Sequence, residues 1–441
     1  MPLDTLMPDM SRLVDFKRGL VNRRIFSDEQ IYRMEIERIF RRCWIYLAHE
    51  SQIPNPGDFV SVEIAADSIL VCRTNDGEIK AFINSCRHRG NKVCRADRGN
   101  AKGFVCSYHG WSYNVDGRLV NIPGAKELYH DQIDQPNWGL PELARLDSYK
   151  GLIFGTFDAE APSLEDYLGD VRWGLDLLLD QGDLVAAPGT VRWTMDCNWK
   201  FAADNAIGDS YHGAFTHRSA ALAGHRSGTG TATKKNLNPA DREGFTAIVE
   251  YGHGYNAEFY DESAVDWSSP LAAWRRDPAI QSKLGPVRSK VLRANFNIFP
   301  NLFVNSGSRD LMVRNPLGPT KIEIWKTTLV DRNAPPDVQR MQVRASNRHF
   351  GPGGMFEQDD GENWVQSTDA TRGAATQDYD LNYQMGLGRA VPVDSNEGPL
   401  RFNGTVNEHG QRWLYRCWAE YMEASDWVEM KKNHSRPSEH I

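Results

Sequence analysis

Two short stretches of this sequence concentrate residues that could bind metal. In NSCRHRGNKVCRADRGNAKGFVCSYHGWSY, Cys86 and His88 form C-x-H, and farther on Cys106 and His109 form C-x-x-H. Two thiolates and two imidazoles suit a structural tetrahedral zinc ion. They also suit an iron–sulfur cluster of mixed ligation, in which imidazoles on one iron raise the potential above that of an all-thiolate cluster. Gly90, Gly110, Tyr108 and Trp111 favour the second reading, because glycines allow two tight loops and the aromatics can shield what those loops enclose. Cys94 falls at no ligand position and is expected to be a buried thiol.

The second stretch, DCNWKFAADNAIGDSYHGAFTHRS, carries Asn205, Asp209, His212 and His217. On an α-helix the first three share a face, whereas His217 leaves it, so the spacing predicts a helix that bends or ends near Gly213. Two imidazoles at such a break can hold a transition metal, although a histidine pair is more often an ordinary core or surface feature. A carboxylate would complete a facial triad, which leaves positions for O2 on Fe(II). Asp359 and Asp360 in FGPGGMFEQDDGENW offer one, unless that acidic run is only a solvated helix start.

The elements around these stretches differ in texture. Residues 28–42 place Ile31, Met34, Ile36 and Ile39 in helical rhythm. From Trp44 to about Phe157 come short alternating runs such as DFVSVEI, SILVCR and GLIFGTF, separated by Gly and Asn-Asp-Gly turns, which predicts an all-β domain. Beyond it SLEDYLGDVRWGLDLLL and 198–217 read as helical, while SKVLRANFNIFPNLFVNS, LMVRN and KIEIWKTTLV read as strands. Segment 224–240 reads as a long loop, either a lid or a surface insertion.

Composition bounds the rest. The chain has 441 residues, 40% hydrophobic and 25% charged, with a formal charge of -7 and no long run of one sign. Two domains fit that length, and neither nucleic acid nor an anionic membrane is an expected partner. Without a leader or an apolar span the expectation is cytoplasmic. Seven cysteines argue against a disulfide framework, and Cys43, Cys72, Cys197 and Cys417 are expected to be inert core residues. No G-x-G-x-x-G follows a strand, so no built-in nicotinamide or flavin domain is expected.

Both motif sets resemble one family. C-x-H-R-G with C-x-Y-H-G-W is similar to the Rieske [2Fe-2S] pattern. The string from Asn198 to His217 resembles the N-W-K...(D/E)-N...D-x-Y-H...H signature of ring-hydroxylating dioxygenase large subunits of the naphthalene, biphenyl and cumate group. The resemblance runs over nearly the whole chain, including the C-terminal RWLYRCWAEYM. It implies an α+β fold in three parts: an N-terminal helical segment at 1–38 packed on the catalytic domain, a β-rich Rieske domain at 39–158, and a catalytic domain at 159–441 with an antiparallel sheet wrapped by helices (helix-grip, START-like).

The same resemblance assigns Cys86, His88, Cys106 and His109 to the cluster and His212, His217 and Asp360 to mononuclear Fe(II), with Glu357 and Glu362 as lesser candidates. Asp209 and Asn205 are implied to act in catalysis, Asp209 by bridging an iron-bound histidine to a cluster histidine, His109, of a neighbouring subunit; the competing reading makes Asp209 itself the third iron ligand. The implied pocket comprises Asn205, Ala206, Gly213, Phe299, Asn301, Leu311, Phe350 and Phe356, with Arg309 or Arg314 as a carboxylate clamp only if benzoates or phthalates are the better substrates. Implied partners are a small β subunit in an α3β3 ring, or an α3 trimer without it, and a ferredoxin and reductase that pass on electrons from NADH. O2 is the co-substrate and an apolar arene the substrate. A Rieske monooxygenase or demethylase, an electron carrier and a non-catalytic ligand carrier are the alternatives.

Overall fold

The computed structural model describes residues 9–130, 132–223, 243–260, 265–394 and 397–440; segment 224–240 lies outside them. The chain divides into two compact units, Phe40–Leu164 and the remainder, which joins the residues up to Ile39 to Glu165–Ile441.

The smaller unit is built from antiparallel strands, as the alternating runs require. One sheet orders Ile79–Ile83, Asp67–Arg73, Asp58–Ile64 and Arg98–Asn100. The Asn-Asp-Gly turn closes its first hairpin, with Gly77 at φ 90, a conformation that favours glycine. A second sheet of Leu119–Asn121, Ser112–Asn114 and Gly103–Val105 supports the cysteine and histidine loops. Phe59, Leu70, Cys72, Phe82 and Phe104 pack with Trp111, Tyr113, Cys86 and Cys106 into one core.

The larger unit centres on a nine-stranded antiparallel sheet running from Leu184–Ala186 through Lys321–Asp331, Asp310–Gly318, Leu302–Asn305, Val291–Ile298, Gly254–Phe259 and Gly244–Ile248 to Leu400–Asn403, with Val191–Met195 also pairing Lys321–Asp331. Residues 310–316 are buried without alternation, which marks a strand covered on both faces. Helix His409–Glu423 lays Trp413 and Cys417 against Ile248 and Phe402, and Trp413 Nε1 donates to the Val249 carbonyl at 2.6 Å. Burying one such aromatic stabilises the fold by roughly 1.5–3 kcal/mol.

Helix Trp199–Ala206 is anchored from several sides. Asn198 caps it by accepting from Lys200 N–H at 2.9 Å, and its own N–H donates to Thr368 Oγ1. Trp199, Lys200 and Trp418 all donate to the buried Glu35 carboxylate, tying the N-terminal helix Glu29–Glu35 to it. The helix expected to run from Asn198 to a break near Gly213 breaks earlier. The helix ends at Ala206, Gly208 turns at φ 141, and a short 3-10 turn His212–Ala214 precedes helix Arg218–Leu222. Asp209 and His212 are therefore not on one helix face. Gly169, at φ 47, likewise splits the next predicted helix into Leu164–Leu168 and Val171–Leu179.

Candidate metal centres

In the smaller unit two loops repeat one backbone pattern. The Gly90 N–H donates to the Cys86 carbonyl at 2.8 Å, and the Gly110 N–H to the Cys106 carbonyl at 2.9 Å; both glycines sit at φ 75. A Cβ on Gly110 would meet Pro123 Cγ at 2.8 Å, so this loop admits only glycine without movement. The turns bring the His88 and His109 rings to 4.4 Å, centroid to centroid, and Trp111 stacks on His88 at 5.1 Å. His109 and Tyr108 are exposed, so this edge of the site reaches the surface.

Two of the donors are shifted toward the form that ligates. His88 Nδ1 is buried with no hydrogen-bond partner among the described residues, and burial together with the His109 and Arg89 charges holds this imidazole below its usual pKa, in the neutral form that ligates. Burial opposes ionisation of Cys106, but N–H groups of Tyr108, Asn91 and His109 outweigh it and favour the thiolate. Tyr113 Oη accepts from the Arg87 N–H at 3.1 Å and lies 3.3 Å from Cys86 Sγ, to which its hydroxyl can donate when the sulfur is a thiolate. A tetrahedral zinc ion would need all four donors within about 4 Å of one another. Among the described residues no trio drawn from these four comes within 4.8 Å. That wider spacing fits a two-iron cluster better than one ion.

In the larger unit His212, His217 and Asp360 do come together within 4.8 Å. Their Nε2 atoms lie 3.0 Å apart, and Asp360 Oδ1 is 3.2 Å from the first and 3.4 Å from the second. Asp360 Oδ1 is buried, and the polar atoms it faces at that range are these two imidazole nitrogens. Each imidazole is held from behind: Asp209 Oδ2 lies 3.2 Å from His212 Nδ1, and Asp359 Oδ2 lies 3.2 Å from His217 Nδ1. Such carboxylates fix the ring so that Nε2 faces a metal. Against the cost of burial, the Asp360 charge and the Asp209 hydrogen bond push His212 up to about 10, whereas burial and the His212 charge hold His217 below its usual value. Two imidazoles and one carboxylate fit a mononuclear iron with open positions.

Asp209 reaches His212 through a turn, not along a helix. Its Oδ1 accepts the N–H groups of Tyr211 at 3.0 Å and His212 at 3.1 Å, and these bonds with the His212 charge hold its carboxyl below the usual range despite burial. Asn205 Nδ2 lies 3.4 Å from His212 Nδ1. Sequence reasoning missed Asp359's contact with His217, because it treated the two adjacent acids as rivals for a single role.

The expected pocket residues are partly gathered. Phe356 lies 4.5 Å from the His217 ring, Gly213 sits in the turn between the histidines, and Ala206 and Leu311 are buried. Phe350 packs edge-on to Phe303 at 5.6 Å. Asn301 uses its backbone and amide on Arg314. Phe299 is placed elsewhere, stacked on Tyr421 at 4.9 Å and against Trp199. Arg314 donates to the Ala202 carbonyl beneath Phe303 and Trp364, and Arg309 donates to Gln181, so both guanidiniums are engaged inside the protein. Glu357 is buried, and burial raises its pKa to about 7; Glu362 is exposed.

Comparison with known proteins decides the family. Residues 43–144 match the Rieske [2Fe-2S] domain, and residues 164–424 match the ring hydroxylating alpha subunit (catalytic domain). The chain belongs to the ring-hydroxylating dioxygenase alpha-subunit family. The biphenyl dioxygenase subunit alpha of Paraburkholderia xenovorans (strain LB400) is 39% identical over 95% of this chain and 94% of its own. The naphthalene 1,2-dioxygenase large oxygenase component of Pseudomonas aeruginosa is 36% identical over 92% of each. A solved naphthalene 1,2-dioxygenase variant with phenanthrene bound superposes with a TM-score of 0.87 at 30% identity, covering 98% of this chain and 97% of that one. As a member of this dioxygenase family the chain is an enzyme that carries a Rieske [2Fe-2S] cluster and a mononuclear iron and uses O2. Among the described residues no helix is long and apolar enough to cross a membrane.

Proposed function

We propose that this chain is the terminal oxygenase component that converts an apolar mono- or polycyclic arene to a cis-dihydrodiol. Cys86, His88, Cys106 and His109 hold the cluster, and His212, His217 and Asp360 hold the iron. The observation that carries the reading is the convergence of two Nε2 atoms and a buried Asp360 oxygen beside the Phe356 ring. The names of its relatives, biphenyl, benzene and naphthalene dioxygenases, support an arene as substrate.

The reaction consumes one arene, one O2, two electrons and two protons. The iron, when bound, supplies the O2 chemistry. The chain's own residues do the rest: Asp209 and Asp359 orient the two imidazoles, and Phe356 with Leu311 and Ala206 forms apolar wall that excludes water and holds a ring. Asn205, Gly213, Asn301 and Phe350 complete that pocket, and Phe299 supports it from the core. Electrons come from NADH through a separate reductase and a ferredoxin, entering at the exposed His109 edge. A small β subunit in an α3β3 ring, working in the cytoplasm, belongs to the same reading.

Iron analysis and isotope labelling test it. About three irons per chain are expected, two in the cluster and one mononuclear. With 18O2 both product oxygens should carry label; one labelled oxygen would instead establish a monooxygenase, and no oxygenated product from biphenyl, benzene or naphthalene would refute the substrate class.

A further inference from the structure

The two cysteines of the cluster site each face a side chain from outside the ligand set. Tyr113 Oη lies 3.3 Å from Cys86 Sγ and can donate to it as a thiolate. On the other loop Asn91 Nδ2 lies 3.7 Å from Cys106 Sγ, within reach for a hydrogen bond to sulfur. Asn91 also joins the loops, since its backbone carbonyl accepts the Cys86 N–H at 2.9 Å and its amide donates to Ser107 Oγ at 3.2 Å. Ser107 Oγ in turn accepts from Arg95 Nη2 at 3.0 Å. A donor, and behind it a guanidinium, thus faces the Cys106 sulfur. A thiolate accepts and cannot donate, which fixes the amide with its nitrogen toward the sulfur.

Hydrogen bonds to the sulfurs are among the features that set an iron–sulfur potential, because each stabilises the added negative charge of the reduced state. We propose that Asn91 is a positioning and potential-setting residue for the cluster, acting on Cys106 as Tyr113 acts on Cys86. The proposal rests on the reading that Cys86, His88, Cys106 and His109 hold [2Fe-2S]. Nothing else in the sequence around Asn91 marks this role, since it occupies no ligand position.

The test is the midpoint potential of the full chain, read by a redox titration followed through the cluster's electron-spin signal. Asn91→Leu removes the donor. Asn91→Asp keeps the shape and can accept the Ser107 hydroxyl in place of donating to it, but presents no N–H to sulfur. Both variants should keep a Rieske-type signal and shift the reduction equilibrium about tenfold toward the oxidised form, about 59 mV for a one-electron couple. A wild-type potential in Asn91→Asp overturns the proposal. Should Asn91→Leu lose the cluster, Asn91→Asp decides alone; loss of the cluster in both shows a structural role and overturns it too. Wild-type protein holding zinc and no iron–sulfur signal would instead refute the reading of the site itself.

Discussion

Asp359 and His217 are joined by a carboxylate–imidazole contact of 3.2 Å on the side of the ring facing away from Asp360. Neighbouring residues on a helix point about 100° apart. Asp360 therefore turns inward, 5% exposed, while Asp359 stays half-buried and takes Nδ1. Replacing Asp360 by Asn should abolish mononuclear iron binding. Asp359→Asn should weaken it by roughly 10–100-fold, the usual cost of losing such a partner, with cluster absorbance unchanged in both. Iron content and chelator competition measure this; loss in Asp359→Asn with retention in Asp360→Asn would reverse the assignment.

Much of this was legible in the sequence, for identifiable reasons. Asp58–Ile64 and Asp67–Arg73 follow the runs that predicted strands there, and the C-x-H and C-x-x-H spacings encode both tight loops. What was not legible depends on tertiary geometry. Helical spacing placed Asp209 over His212, whereas Gly208 ends that geometry and the carboxylate arrives by capping the 211 and 212 N–H groups. Asn91 and Tyr113 acquire partners only when the two loops close on each other, a pairing no local pattern announces.

Glu35 and Lys200 form an ion pair whose side chains are 0% and 1% exposed. Burial pulls Lys200 below its usual pKa, and the Glu35 charge restores part of that. Breaking one side of such a pair costs about 3–5 kcal/mol, because the remaining charge is left uncompensated. Glu35→Gln should lose stability of that order in urea unfolding, and Glu35→Gln with Lys200→Met should recover most of it. A single variant within about 0.5 kcal/mol of wild type, the range of ordinary surface changes, contradicts the account.

Asp204 accepts from Tyr415 at 2.7 Å and Tyr383 at 2.8 Å. Burial raises its pKa to about 7 against those two hydrogen bonds, with the Asp209 and Glu408 charges adding to the rise. The folded protein thus holds a proton that the unfolded chain has released. The group's contribution is full below the unfolded pKa of about 4 and is lost as pH rises through about 7. Asp204→Asn cannot lose that proton. Relative to wild type, its melting temperature should climb between pH 5 and pH 8; a difference constant across that range excludes the titration.

We propose that Asp209 serves communication between the metals and not ligation, a role the family resemblance implies. Its Oδ2 faces His212 Nδ1 at 3.2 Å, while Asp360 already occupies the Nε2 side of both histidines. About a third of the Asp209 side chain, 31%, remains exposed, while both carboxylate oxygens already have partners within the chain, Oδ1 the Tyr211 and His212 N–H groups and Oδ2 the His212 ring. Asp209→Asn keeps the shape and removes the charge. It should leave cluster and iron contents near wild type, yet lower turnover by about 100-fold or more, on the scale of a lost charged contact of about 3 kcal/mol. Iron loss in this variant would favour the competing reading of Asp209 as a ligand. Single-turnover kinetics locate the fault: with substrate and O2 added to the reduced protein, cluster reoxidation should be slowed to the same degree as turnover. Reoxidation at the wild-type rate would show that electrons pass without the Asp209 carboxylate.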